Sequence, residues 1–465
     1  MAVPAAALAS ALNELRALFG ERLTTTKALL ERHGQDESYH LPHPPDAVVF
    51  AQSTADVVAA VKVCVRHQLP ITPFGVGTSL EGNIAALHGG LCIDMSTMNR
   101  VLEVSTEDMD VRVEAGVTRK QLAAHIKDTG LFFPVDPGAD ATLGGMAATR
   151  ASGTTTVRYG TMRDNVLGLT IVLPDGSVVH TGTRARKSSA GYDLTRLFVG
   201  SEGTLGIITE VHLRLHSVPQ SITAAVCPFP TIEAAVATAA QAIQMGIPVA
   251  RIEFMDELEM RGVNGYAKLS YAEQPTLFFE FHGSDEGAKE QAEMVEAIAA
   301  EHGASQFEWA AKAEDRTRLW QARHNALYAA MSLRPGCRAM ITDVCVPISK
   351  LAQCVVETRA DIEATGVIAP MLGHVGDGNF HVLILIMPGD TAEIERAGAL
   401  NDRLVKRALA MGGTCTGEHG IGYGKMDYLL SEQGDAVKLM RTIKNAIDPL
   451  GLMNPGKIFS LKDAA

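Results

Sequence analysis

The sequence predicts an α+β protein of more than one domain, and three observations predict it. Short apolar strand candidates alternate with helical stretches along most of the chain. Glycine is abundant at 43 residues while aromatics make up only 5%, a balance that suits many backbone-lined loops and little ring stacking. The 465 residues, 46% hydrophobic and 20% charged, are enough for two or three domains with substantial cores.

Composition also excludes partners. A net charge of −12 argues against nucleic acid, whose phosphates demand a basic footprint. No block of Lys or Arg offers an electrostatic membrane anchor, and no apolar run approaches the ~18 residues of a membrane span. The first twenty residues carry Glu14 and Arg16 and lack a basic start, so neither a secretory signal nor a transit peptide is expected. The seven cysteines are odd in number and scattered, with no Cys-x-x-Cys pair, and read as reduced thiols of a cytoplasmic protein.

In chain order, residues 1–42 read as two amphipathic helices and a polar link ending at Pro42, Pro44 and Pro45. A strand over 47–50 and a Ser-capped helix over 53–67 follow. The strand over 70–74 then runs into Gly75-Val-Gly-Thr-Ser79-Leu-Glu-Gly-Asn83. This is not a nicotinamide fingerprint. Leu80 stands where the third glycine belongs, and Gly82-Asn83 interrupts the helix that should follow. What remains is a strand feeding a loop whose backbone N–H groups can cradle a pyrophosphate. Three more glycine- and threonine-rich loops follow at 136–146, 151–156 and 199–206, with a Pro174-Asp-Gly176 hairpin among them. Four such loops exceed the needs of turn-making and can line an extended cofactor, although a loop-rich domain without one is the plainer reading. From 220 to 445 helices and strands repeat in β-α-β order, which predicts an antiparallel sheet backed by helices. One long helix is expected over 314–332, and the last fifteen residues are expected to return to the first half.

Two late windows carry chemistry. Gly373-His374-Val-Gly-Asp-Gly-Asn379-Phe-His381 has turn residues between two apolar runs, 367–375 and 382–387. Two strand ends joined by a tight loop would bring His374 and His381 together. Thr416-Gly-Glu418-His419-Gly-Ile-Gly422 supplies a carboxylate and a further imidazole. Two His and one Glu form a familiar divalent-metal set that leaves coordination positions open, though glycine turns with surface histidines would read the same way.

Pro73-Phe-Gly-Val-Gly-Thr78, Pro137-Gly138 with Leu143-Gly144-Gly145, and Gly200-Ser-Glu-Gly-Thr-Leu-Gly206 resemble the FAD-binding domain of the vanillyl-alcohol oxidase / p-cresol methylhydroxylase superfamily. Leu319–Asn325, Thr342–Pro347, Gly373–His381, Gly417–Gly422 and Met453-Asn-Pro-Gly-Lys457 resemble its FAD-linked 2-hydroxy-acid dehydrogenases. The resemblance spans nearly the whole chain. It implies a two-part FAD-binding domain over 43–219, a ferredoxin-like substrate or cap domain over 220–445, and a closing segment over 446–465. It further implies FAD held by Pro73, Gly75, Gly77, Thr78, Ser79, Pro137, Gly138, Leu143, Gly144, Gly145, Ser152, Gly153, Glu202, Gly203, Gly206 and Ile207. No His, Cys or Tyr lies between Pro73 and Asn83, so the FAD is expected to be non-covalent.

The implied reaction is oxidation of a D-2-hydroxy acid, D-lactate to pyruvate favoured. His374, His381 and Glu418 would hold Zn or Mn, which would stabilise the developing alkoxide. His419 is the candidate base, Arg323 the candidate carboxylate clamp, and Asn379 a candidate substrate contact. Arg334 and Arg338 are the only cations between 323 and 347 for a second carboxylate, and neither is placed convincingly. D-2-hydroxyglutarate or glycolate is the close alternative, and a metal-dependent hydrolase the alternative of another class. Cytochrome c, a quinone or an electron-transfer flavoprotein would accept the electrons; the protein is expected in the cytoplasm, with a peripheral place at the inner membrane as the variant, and a homodimer is the oligomer considered.

Overall fold

The computed structural model describes residues 4–310 and 312–460. It divides into two compact units, one of Met1–Ser152, Thr161–Val218 and Glu418–Ala465, the other of Gly153–Gly160 and Pro219–Gly417.

The first unit holds two main sheets. In the smaller, the strands Leu23–Thr24, Ala47–Phe50, Leu91–Asp94 and Ile71–Phe74 lie in that order. The last three are parallel: the helix Thr54–His67 carries the chain from Ala47–Phe50 to Ile71–Phe74, and the long loop over 75–90 carries it on to Leu91–Asp94. The helix Thr54–His67 forms because Ser53 Oγ accepts from Asp56 N at 3.2 Å, and because Val57, Ala60, Val61 and Cys64 recur on one face. That face and the Ala11, Leu15 and Phe19 face of the helix Ala5–Phe19 share one core with the sheet. The closing stretch returns beside the outermost strand: Ile71 N donates to Leu452 O at 2.8 Å, and Asn454 N to Ile71 O at 2.7 Å. The larger sheet is antiparallel, in the order Val101–Ser105, Asp110–Glu114, Ile207–Arg214, Val166–Val172, Val178–Gly182. Its last pair is the expected hairpin about Asp175-Gly176.

The second unit is built on an eight-stranded sheet. Its order is Glu308–Ala310, Ser221–Pro228, Thr276–Gly283, Arg251–Met255, Met371–Gly373, Asn379–Ile386, Arg338–Ile341, with Val344–Cys345 also paired to Asn379–Ile386. Every pairing is antiparallel, as the β-α-β order predicted. Two elements differ from expectation. The helix over 314–332 is two helices, Ala313–His324 and Ala326–Ser332, broken at Asn325 (φ −89°, ψ 9°). Asparagine competes locally for backbone hydrogen bonds and is a poor interior helix residue. The strand over 367–375 is confined to Met371–Gly373. Pro370 has no N–H to donate, so before Met371 the carbonyls of Ile368 and Pro370 only accept, from Leu385 N and Leu383 N at 2.9 Å.

Candidate active site

In the second unit, Met371–Gly373 and Asn379–Ile386 pair with Leu372 opposite His381. The connecting turn needs its glycines. Gly378 has φ +81°, and a Cβ there would lie 2.1 Å from Val346 O. The turn brings the two imidazoles to 5.8 Å between ring centroids, at 87° to one another. His374 Nδ1 is 2.6 Å from Glu253 Oε1, and His381 Nδ1 is 2.9 Å from Thr342 O. A carbonyl oxygen can only accept, so His381 Nδ1 donates to it, and in a neutral ring the lone pair would lie on Nε2. The carboxylate sets the same tautomer in His374. Metal-binding imidazoles are held in this way, so the pair fits a divalent ion.

Arg323 is buried, and it is anchored. Its Nε and Nη2 lie 2.8 and 2.7 Å from Glu253 Oε2. Glu253 itself has no solvent exposure. The pairing occupies the Nε–Nη2 edge of the guanidinium. Asn379 is less available than its place in the turn implied. Its Nδ2 donates to Asp343 Oδ1 and Val344 O, both at 2.8 Å, so its amide fastens the loop before Val344. Its Oδ1 is buried without a hydrogen bond among the described residues. Gly153, expected at the flavin, belongs to this unit, and its N–H donates to Thr156 Oγ1 at 3.0 Å.

In the first unit Glu418 Oε2 accepts from Ser152 Oγ at 2.5 Å, so the Ser152 hydroxyl is engaged by a carboxylate. His419 Nδ1 lies 3.4 Å from Glu81 Oε1, whose other neighbour is Lys425 Nζ at 2.9 Å. A buried carboxylate therefore faces the back of the candidate base. Glu202, whose φ is +53°, ties three distant stretches together. Its carboxylate accepts from Asn83 Nδ2, Ile421 N and Gly422 N at 2.7, 2.7 and 2.8 Å, while its carbonyl accepts from Asn454 Nδ2 at 2.7 Å. Burial pushes its carboxyl up, against the pull of those donors. Burial likewise brings the Lys457 ammonium down to about 7, opposed by Glu202.

The glycine loops of the first unit converge. A Cβ on Gly75 would lie 2.3 Å from Thr142 Oγ1, and one on Gly203 2.4 Å from Pro73 Cγ. Gly144 is pressed against Ala115, and Gly206 against Ile171 and Val172. Thr142 also caps the helix Leu143–Thr149, its Oγ1 accepting from Gly145 N at 3.3 Å. Leu143 and Ile207 are core residues, and nothing would crowd a Cβ on Gly138, next to Pro137. The backbone N–H groups of Gly75, Val76, Gly77 and Thr78 make no hydrogen bond among the described residues. The hydroxyls of Ser79 and Ser201 are buried and likewise unpartnered there. Two buried hydroxyls without acceptors are costly, and with the half-buried N–H groups of 75–78 they suit the phosphates of FAD. Sequence reading missed Glu81, Thr142, Ser201 and Glu253. Glu81, Thr142 and Ser201 lie inside glycine loops already marked, whereas Glu253 meets its partners only through packing across 121 and 70 positions.

A model of the FAD-linked oxidase C-terminal domain matches residues 218–458, and one of the FAD-binding domain matches residues 45–182. The chain belongs to the FAD-linked oxidase family and is an FAD-dependent oxidoreductase. It is 54% identical over 461 residues to the probable mitochondrial D-lactate dehydrogenase of Danio rerio, covering 98% of this chain and 93% of that one. It is 46% identical to the mitochondrial D-lactate dehydrogenase (cytochrome) of Arabidopsis thaliana, over 96% and 79% of the two chains. Among solved structures, p-cresol methylhydroxylase with substrate bound superposes with a TM-score of 0.80 at 19% identity, over 100% of this chain and 99% of that one. That likeness establishes the p-cresol methylhydroxylase type of fold. Among the described residues no helix is long and apolar enough to cross a membrane.

Proposed function

We propose that this chain oxidises D-lactate to pyruvate and passes the electrons to an external acceptor, a cytochrome in the first instance. The observation that carries the reading is the His374/His381 pair, both rings anchored at Nδ1, together with an Arg323 guanidinium held on the same Glu253 carboxylate. The names of the two relatives support the substrate and the acceptor.

FAD, when bound, supplies the hydride acceptor. His374, His381 and Glu418, the last one residue beyond Gly417, would hold a divalent ion, Zn or Mn, that supplies Lewis acidity to the substrate oxygens. The other roles fall to protein groups. Arg323 Nη1 binds the substrate carboxylate, which fixes the α-carbon for hydride loss. His419 takes the hydroxyl proton. Glu81, behind it, holds the ring and stabilises the imidazolium that forms.

The substrate is small. Arg334, one of two arginines available for a second carboxylate, is spent on Glu393 Oε1 at 2.5 Å and Leu385 O at 2.8 Å, and Arg338 points to solvent. Glycolate stays the nearest alternative, D-2-hydroxyglutarate is disfavoured, and the family match gives the hydrolase reading no support. No disulfide joins any of the seven cysteines, consistent with a cytoplasmic setting, while both relatives carry mitochondrial names. Cell fractionation decides between them.

A panel of D- and L-2-hydroxy acids against an artificial dye, with and without chelator, tests the proposal. D-lactate should lead the panel and chelator should abolish turnover. Undiminished turnover after exhaustive chelation removes the metal, and preference for an L-acid removes the substrate.

A further inference from the structure

Glu253 lies in the strand Arg251–Met255 with no solvent exposure, and each of its oxygens serves one functional group. Oε1 receives His374 Nδ1 at 2.6 Å, and Oε2 receives Nε and Nη2 of Arg323 at 2.8 and 2.7 Å. The three residues come from a strand, a turn and a helix, and all three belong to the second unit. We infer that Glu253 is a positioning residue that orients the His374 ring toward a metal ion and the Arg323 guanidinium toward the substrate carboxylate at once. This inference rests on the proposed reading of His374 as a ligand and Arg323 as the clamp.

The chemistry of the donor set requires such a group. A lone imidazole on a turn can rotate and can protonate at either nitrogen. A carboxylate at Nδ1 fixes the tautomer, directs the lone pair on Nε2 away from itself, and makes the ring a better donor. Arginine has long rotamer freedom, and a guanidinium held along its Nε–Nη2 edge can present only the remaining Nη1 edge to a ligand. Neither task could fall to a neighbouring acid as it stands. Glu259, also fully buried nearby on the helix Glu257–Ala267, has both carboxyl oxygens without a hydrogen bond among the described residues. Burial and the neighbouring Asp256 push its carboxyl well up, opposed by Arg323. Glu253 is the side chain whose two oxygens Arg323 and His374 share. Metal binding and substrate binding, two properties that would otherwise vary independently, become linked through one side chain.

The test uses Glu253→Gln in the full-length holoprotein. Gln keeps the length and can accept one hydrogen bond, but it cannot serve both donors as an anion. FAD content, read from the visible spectrum, should match wild type and shows that the fold survives. Affinity for Zn or Mn, titrated directly after chelation, should fall about 10–100-fold. KM for D-lactate should rise more than kcat falls when metal is saturating. Arg323→Lys serves as the control, expected to raise KM with metal affinity unchanged. A folded Glu253→Gln protein with wild-type metal affinity and wild-type KM overturns the inference. Wild-type protein that binds no metal would instead overturn the ligand reading, and the KM measurement would still decide Glu253's role toward Arg323. Should Glu253→Gln fail to accumulate, Glu253→Asp, with the charge kept and the reach shortened, is expected to show the same two losses to a smaller degree.

Discussion

The Glu81–His419 pair makes the sharpest residue-level claim. Glu81 Oε1 is 3.4 Å from His419 Nδ1, close enough for a carboxylate to favour the charged ring. Replacing His419 by Asn should lower kcat for D-lactate by about 10²–10⁴-fold with FAD still bound, since that is the ordinary worth of a placed base. Glu81→Gln should lower kcat less and leave KM within a factor of about two, as an orienting group does. Steady-state kinetics on flavin-matched samples reads both, and equal kcat values for Glu81→Gln and wild type would remove Glu81 from the account. Lys457 gives a prediction about stability. Its folded value of about 7 lies below its ordinary 10.5, so between these values the unfolded chain holds the extra proton. Stability then rises with pH across that window, and the loss is complete only below the folded value. Thermal melts should show wild type gaining on Lys457→Met between pH 7 and pH 9.5; a constant difference would contradict the buried ammonium.

At the scale of elements, turns and loops do the positioning. The Gly373–His381 turn was legible because its chemistry is local: glycine and asparagine between apolar runs specify a tight reversal whatever the rest of the chain does. Gly378→Ala places a Cβ 2.1 Å from Val346 O at a φ of +81°. It should destabilise the protein by more than about 1 kcal/mol, read as a lower urea midpoint. Gly203→Ala acts elsewhere. Its Cβ would meet Pro73 Cγ at 2.4 Å, so the first and fourth glycine loops must separate. FAD content should fall sharply while circular dichroism stays native, and full FAD occupancy would show that these loops do not hold the cofactor. Where expectation failed, a single residue's local chemistry decided. One long helix over 314–332 was the natural reading of its residues, yet Asn325 breaks it and starts a new helix.

For the whole molecule, legibility follows sequence separation. The paired histidines and the glycine loops lie in compact motifs, and the alternation of strands and helices marks the α+β class, so these features can be read from residues. Glu253 could not, because it meets His374 across 121 positions and Arg323 across 70. Glu202 and Ile421 are 219 positions apart, and Asn454 and Asn83 371 apart. Such pairs are products of packing, and no local pattern encodes them. The central claim is that these distant parts assemble a flavin site for D-2-hydroxy acids. Anaerobic mixing of the purified, yellow protein with D-lactate tests it most directly, with absorbance followed near the flavin maximum. The account predicts rapid bleaching by D-lactate, little by L-lactate, and loss of bleaching after chelation. An oxidised flavin that persists in excess D-lactate, in metal-replete protein, would contradict it.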